Sequence, residues 1–432
     1  MTVQNLIKKI SAKKINVGII GLGYVGLPLA ILMAKKGVNI YGFDTNQKKI
    51  KIIQSQKSFI ERIKVKDIKI LNKKGKVSNN FLNISKCDVI LVCVPTPLKN
   101  ATSPDLSYIK IVISNIRKYL KENQILILES TSYPGTTREE FANKLKNRFN
   151  LGKNFFIGFS SERINPGANE NKINKVPKVV GGYSKNCIRL VSNFYNLFFD
   201  QVVKASSLEA AEFSKLLENI YRSINIGFIN EMKFIADKMS LDIFDIINLA
   251  KTKPYGFKAY APGPAIGGHC IPIDPHYLNW KAKKIGLKSN FIQLASEVNK
   301  KVTKFIVSKV LSSLKNRNIK KNKCKILILG IAYKKNIDDA RESGSISLLN
   351  KLLEKKISNI WWSDPHIIQF RYKNKKISRN RVNITPKILN SFDVVILMTD
   401  HKKFNYGMIE KYSKFIIDCR GKFSLNSKII RA

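Results

Sequence analysis

The chain holds six cysteines, and Cys270 stands in a setting that a packing residue does not need. Pro262, Gly263, Gly267, Gly268 and His269 precede it, and Pro272, Asp274 and Pro275 follow. Glycines let a backbone approach a ligand closely, and the prolines stiffen the exit. A thiol presented in this way, with a carboxylate four positions on, has the chemistry of a nucleophile. By contrast, Cys87, Cys93, Cys324 and Cys419 lie beside or within apolar runs and read as core filling. A second chemical signal is Gly21-Leu22-Gly23-Tyr24-Val25-Gly26. In this spacing the first glycine makes a tight turn, the second admits a pyrophosphate and the third lets a helix pack on a strand. Asp44 lies about 20 residues on, where a ribose-binding acid belongs. Its carboxylate would repel a 2′-phosphate, so the expected cofactor is NAD rather than NADP.

These residues need elements to hold them. An apolar run at 15–20 enters the glycines, an Ala/Leu/Met-rich helix runs to about residue 36, and 38–43 reads as a strand ending at Asp44. Further strands are expected at 89–94, 125–129 and 155–160, alternating with helices, the pattern of a parallel sheet. The first domain is expected to span 1–200. Residues 207–249 carry apolar positions at helical spacing with no proline and one glycine, which predicts one long helix serving as a spine. After the thiol loop a helical stretch is expected over 275–314, closing a central region of 201–314. A Lys/Asn-rich segment at 315–323 reads as a linker. A second α/β unit, 320–432, should carry strands at 325–329, 360–363, 394–398 and 415–418. The fold expected is thus α/β, two Rossmann-like doubly wound domains joined by a long central helix, with a loose echo between the two α/β halves and no low-complexity region.

Composition narrows the class. A chain of 432 residues, 44% hydrophobic, supports two or three domains with cores of their own. The cysteines show no CxxC pair or zinc spacing, and His276, His366 and His401 show no metal spacing, so neither metal nor disulfide framework is expected. A reducing cytoplasm fits this usage. No signal core and no run of about 18 apolar residues is present, which excludes a membrane span. Lys and Arg number 77 against 30 Asp and Glu, a formal net charge of +47. The basic residues are spread over the chain without a nucleic-acid module, so they read as solvated faces rather than a specific nucleic-acid surface.

The two motifs, the long helix and the second α/β unit, in that order, resemble the UDP-glucose/GDP-mannose dehydrogenase family over nearly the whole chain. The resemblance is carried further by Val94-Pro95-Thr96-Pro97, Glu129-Ser130-Thr131, Tyr133-Pro134-Gly135-Thr136-Thr137, Ser161-Glu162-Arg163-Ile164-Asn165-Pro166-Gly167, Lys215 with Asn219, Tyr333-Lys334 and Arg341-Glu342-Ser343. It implies oxidation of the C6 alcohol of a nucleotide sugar to a carboxylate with two NAD+. Cys270 would form a thiohemiacetal and then a thioester. Lys215 and Asn219, four apart on a helix, would stabilise the oxyanion at C6. Asp274, Thr131 and Glu162 would order water or act as acid and base, with the choice among them open. Tyr24, Val25, Pro95, Thr96 and Thr131 would join the glycines and Asp44 around NAD. Glu162, Arg163, Lys215, Asn219, Gly267, Gly268, Tyr333, Lys334 and Arg341 would contact the UDP-sugar, and His269 is read as structural or substrate-contacting. A homodimer built on the long helix is the family's expectation.

The segments at 162–167, 253–257 and 262–264 resemble members acting on UDP-N-acetylhexosamines, most of all the UDP-N-acetylglucosamine 6-dehydrogenases, which supply precursors of surface polysaccharide. UDP-glucose 6-dehydrogenase is the main rival, ahead of UDP-N-acetylmannosamine and GDP-mannose oxidation. A basic, NAD-sensing nucleic-acid binder is a reading of another class, but it leaves Cys270, Lys215 and Asn219 without a purpose. The chain departs from the family pattern at Ala168, where Asp is common, at Ala265-Ile266, where Gly-Val or Gly-Leu is usual, and at Gly344, where Pro is common.

Overall fold

The computed structural model describes every residue except 1, 61–62, 101, 164–169, 269–270, 373–374 and 378–379. His269 and Cys270, and the segment Ile164 to Ala168 used above, therefore lie outside the described residues. The chain divides into two compact units, Met1–Glu218 with His276–Leu287, and Asn219–Pro275 with Lys288–Ala432.

The first unit is built on an eight-stranded sheet. Its order is Val202–Lys204, Lys178–Gly182, Phe156–Phe159, Ile125–Leu128, Val89–Val92, Asn16–Ile20, Asn39–Phe43, Gly75–Ser78. The central strands Val89–Val92, Ile125–Leu128 and Phe156–Phe159 are buried at every position, as parallel strands covered on both faces must be. Only the pairing of Phe156–Phe159 with Lys178–Gly182 is antiparallel. Asn16–Ile20 pairs with Asn39–Phe43 on one side and Val89–Val92 on the other. The strand order reverses there, the place where such sheets bind ligands. Three strands of this sheet lacked a sequence signal. Gly75–Ser78 and Val202–Lys204 are short, and Lys178–Gly182 begins on a lysine and ends on two glycines.

The second unit carries a five-stranded parallel sheet, ordered Ile360–Ser363, Ile326–Leu329, Val394–Leu397, Ile416–Asp418, Ile429–Arg431. It repeats the first sheet's local geometry. Gly21 leaves its strand at φ +92° with its N–H on Phe43 O at 2.8 Å, and Gly330 does so at φ +86° with its N–H on Ser363 O at 2.8 Å. Asp44 accepts from Leu22 N at 3.0 Å, and Asp364, likewise one residue past its strand, accepts from Ile331 N at 2.7 Å.

Two expected helices are each broken. The 207–249 pattern forms Leu208–Lys238 and Ile243–Ala250. Between them Ser240 turns left-handed at φ +59°, and the Asp242 carboxylate accepts from Phe244 N to start the second helix. The 275–314 pattern forms Asp274–Lys284 and Asn290–Asn316, separated by Gly286 at φ +78°. Leu208–Lys238 is still the long central helix, starting in residues of the first unit and ending in residues of the second. Among the described residues no helix is long and apolar enough to cross a membrane.

Candidate active site

The glycine turn of the first unit has the geometry a dinucleotide needs. A Cβ on Gly21 would meet Cys93 O at 2.8 Å, and one on Gly26 would collide with the Gly21 carbonyl, so both positions exclude any side chain. Around Gly23 a Cβ would meet nothing within 4 Å, leaving the backbone open to a phosphate. Val25 caps the helix Gly26–Lys35 without a side-chain bond, so its first N–H groups face the turn. Tyr24 is exposed beside it. The Asp44 carboxylate accepts from Leu22 N at 3.0 Å and Asn46 N at 2.8 Å, with Lys49 Nζ at 3.6 Å. One buried acid thus fixes the turn, and each of its oxygens retains a lone pair for a hydroxyl.

Beyond the next strands lie Pro95 and the buried Thr96, the half-buried Thr131, and Glu162 with Arg163. Ser130 Oγ donates to Val94 O at 2.6 Å, joining the segment that carries Thr131 to the one that carries Pro95 and Thr96. Arg163 is engaged within the protein, donating to Pro177 O at 2.9 Å and pairing with Glu218 at 2.5 Å. Sequence reasoning gave no role to the group beneath them. Lys178 Nζ donates to Glu129 Oε2 at 2.9 Å and to Ser161 O at 3.3 Å, and Tyr195 OH donates to Glu129 Oε1.

The long helix brings Glu212, Lys215 and Asn219 onto neighbouring turns, all buried. Glu212, also unforeseen, accepts from Gly135 N at 2.5 Å, Thr137 N at 2.8 Å and Thr137 Oγ1 at 2.7 Å. Burial pushes its carboxyl up to about 7 against the pull of those donors. On the same side of the first unit Tyr277 OH donates to Pro97 O at 3.2 Å, and Lys281 pairs with Glu139 at 2.8 Å.

In the second unit the Asn219 amide donates to the Asp274 carboxylate, so two residues 55 apart in sequence meet in a buried bond. The loop leading to the thiol docks on the loop after Ile326–Leu329. A Cβ on Gly268, at φ +91°, would meet the Tyr333 ring at 2.7 Å, and one on Gly267 would meet Glu342 O at 2.8 Å. Gly268 N donates to Arg341 O at 3.1 Å. The paired glycines thus serve a protein contact, and they bring the thiol's approach against Tyr333 and Arg341. Arg341 itself is exposed and held by Asp339 at 2.6 Å. Lys334 is half-buried, and burial followed by the nearby Arg222 and Lys335 lowers its pKa. Arg420, missed by the sequence reading, lies 3.5 Å from where a Gly263 Cβ would sit, and it donates to Met398 O at 2.7 Å. Four other buried thiols, Cys87, Cys93, Cys324 and Cys419, are pushed up by desolvation, the last two to about 12, which disfavours their thiolates at neutral pH.

Comparison with known proteins adds an ordered set of matches. Residues 15–199 match the NAD binding domain of the UDP-glucose/GDP-mannose dehydrogenase family, 209–301 its central domain and 327–424 its UDP binding domain. The UDP-N-acetyl-D-glucosamine 6-dehydrogenase of Pseudomonas aeruginosa is 33% identical over 400 residues, 91% of this chain and 92% of that protein. The UDP-N-acetyl-D-mannosamine dehydrogenase of Methanococcus vannielii is 30% identical over 420 residues, 95% of this chain and 92% of that protein. The structure of the UDP-D-ManNAc dehydrogenase from Pyrococcus horikoshii superposes with a TM-score of 0.84 at 28% identity, covering 96% of this chain and 98% of that one.

Proposed function

Because the chain belongs to the UDP-glucose/GDP-mannose dehydrogenase family and is an NAD-dependent nucleotide-sugar dehydrogenase, we propose that it oxidises the C6 alcohol of a UDP-N-acetylhexosamine to the uronate. UDP-N-acetylglucosamine is the substrate we favour. In this reading 1–200 binds NAD, 201–314 carries the chemistry and the dimer contact, and 320–432 binds the UDP-sugar, in a reducing cytoplasm, for surface-polysaccharide synthesis. The observation that carries it is the order of NAD-binding, central and UDP-binding matches along one chain.

NAD, held by the Gly21 to Gly26 turn, Asp44, Pro95, Thr96 and Thr131, supplies the hydride acceptor for two successive oxidations of C6. The Cys270 thiol adds to the C6 aldehyde, its proton leaving to a base, and forms the thiohemiacetal. Removal of the C6 hydride leaves a thioester. Water, ordered by Asp274, Thr131 or Glu162, adds to the thioester carbonyl, the C–S bond breaks, and carboxylate and thiol are released. One alcohol, two NAD+ and one water give one carboxylate, two NADH and three protons. Lys215 and Asn219, buried one turn apart, stabilise the oxyanion. The Asp274 contact orients the Asn219 amide for that task.

The acetamido preference rests on the resemblance at 162–167 and 253–257 and on relatives whose names place them on 2-acetamido sugars. A pocket that pairs with the amide leaves polar groups unsatisfied when a 2-hydroxyl replaces it. UDP-N-acetylmannosamine is the second reading, favoured by the relatives at 30% identity. A kcat/KM screen of UDP-N-acetylglucosamine, UDP-N-acetylgalactosamine, UDP-N-acetylmannosamine, UDP-glucose and GDP-mannose tests the assignment. The gluco acetamido sugar should lead; equal or better turnover of UDP-glucose overturns the sugar while leaving the Cys270 chemistry standing. Cys270→Ala should abolish uronate formation and retain NAD binding, and Cys270→Ser should trap an ester visible by mass spectrometry.

A further inference from the structure

We propose that Glu129, Lys178 and Tyr195 form a dry positioning network that sets Thr131 and Glu162 for the chemistry, a role that rests on the function proposed above. Glu129 is the first residue past Ile125–Leu128, with its N–H on Val92 O at 2.9 Å, and Thr131 follows two residues later. Ser161 stands two past the neighbouring parallel strand Phe156–Phe159, immediately before Glu162. The two strand ends are therefore side by side, and Lys178 joins them through Glu129 Oε2 at 2.9 Å and Ser161 O at 3.3 Å.

Topology puts Lys178 in this place. The strand Lys178–Gly182 runs antiparallel to Phe156–Phe159, with Phe159 opposite Gly181, so the same register continued sets Lys178 opposite Glu162. Ser160 Oγ donates to Val179 O at 2.8 Å and holds that continuation. Glu129, Lys178 and Tyr195 are respectively 1%, 2% and 0% exposed, so water does not loosen the arrangement. Both Glu129 oxygens are engaged, one by Lys178 and one by Tyr195. The ammonium also lies 5.2 Å from the Tyr195 ring centroid and 5.3 Å from that of Phe199.

A buried ion pair is seldom a net gain in stability, since apolar residues of similar volume serve as well or better. What this pair supplies is a fixed distance between two loops that both carry residues of the proposed chemistry. Lys178→Met strands a carboxylate in the core and should lower both the melting temperature and kcat. Glu129→Gln with Lys178→Met removes both charges, and should recover the melting temperature. Its kcat should stay about 10- to 100-fold below wild type, the cost of misplacing catalytic groups by an ångström or less. KM for NAD and for the sugar should move by no more than about threefold, since ground-state binding is spared.

Amide hydrogen exchange at 130–132 and 161–163 reads the positioning without any substrate. It should rise in the double variant although global stability has returned, and it does so whether or not the sugar assignment holds. Recovery of kcat together with stability in the double variant, or unchanged exchange at both segments, overturns the proposal. Absence of NAD-dependent uronate formation by the wild type, with exchange raised as stated, overturns the proposed reaction instead.

Discussion

Gly344 opens its helix at a position where proline is well tolerated, yet a Cβ there would sit 2.7 Å from the Cβ of Ala265. These are two of the three places at which the chain departs from its family's pattern, and they face each other. The methyl of Ala265 takes the space that a larger residue at 344 would need. Gly344→Ala should therefore cost about 1–3 kcal/mol by overpacking. Ala265→Gly should recover most of that loss in the double variant, measured by urea unfolding, and simple additivity of the two changes would refute the coupling. Residue-scale chemistry was legible wherever it is local. Gly21, Gly23, Gly26 and Asp44 announce themselves because a turn and its acid lie within one strand-helix-strand unit. Glu129, Lys178 and Glu212 did not, since a buried charge is explained by partners 49 to 77 residues away. The paired glycines before the thiol and Tyr333 were each visible, but their packing against one another was not.

Among the buried ionisable groups of Leu208–Lys238, Glu212 and Lys233 have opposite pH consequences. Glu212 titrates near 7 in the fold against an ordinary 4.5, so the native state binds the extra proton and stability falls as pH rises between those values. Glu212→Gln should flatten that slope in unfolding measured at pH 5 and pH 8, and an unchanged slope would exclude Glu212 as its source. Lys233 Nζ has no hydrogen-bond partner among the described residues and lies 5.1 Å from the Phe305 ring centroid. Burial lowers its pKa from 10.5 to about 8. Its charge thus destabilises the fold below about pH 8, and the penalty fades as pH rises toward 10.5. Lys233→Met should stabilise the protein at pH 7 by roughly 1–4 kcal/mol and by much less at pH 10; equal gains at both values would contradict the assignment. Helix existence was readable from apolar spacing, while the breaks were not. Met239-Ser240-Leu241 contains neither glycine nor proline, and Gly286 was outvoted by the apolar positions on either side.

Across the whole molecule, the two sheets repeat one construction that the sequence shows only faintly. A left-handed glycine and a strand-end acid are shared, whereas the strands around them share little beyond being apolar. Leu208–Lys238 also displays Phe213, Leu217, Tyr221, Phe228 and Ile235 on one face, each 42–56% exposed. We expect a second copy to cover this stripe, and Leu217→Glu with Phe228→Glu to give a monomer in light scattering; a wild type that is already monomeric would reject it. With +47 spread over solvated faces, DNA or heparin binding should be weak and lost steeply with salt. Sequence-selective binding that survives high salt would revive a nucleic-acid role. In the proposed reaction one chain carries an alcohol through to an acid on one thiol. Counting NADH against uronate formed from UDP-N-acetylglucosamine by the purified wild type tests it most directly. Two NADH per uronate with no free aldehyde is the result expected, and one NADH per sugar with aldehyde accumulating would contradict it.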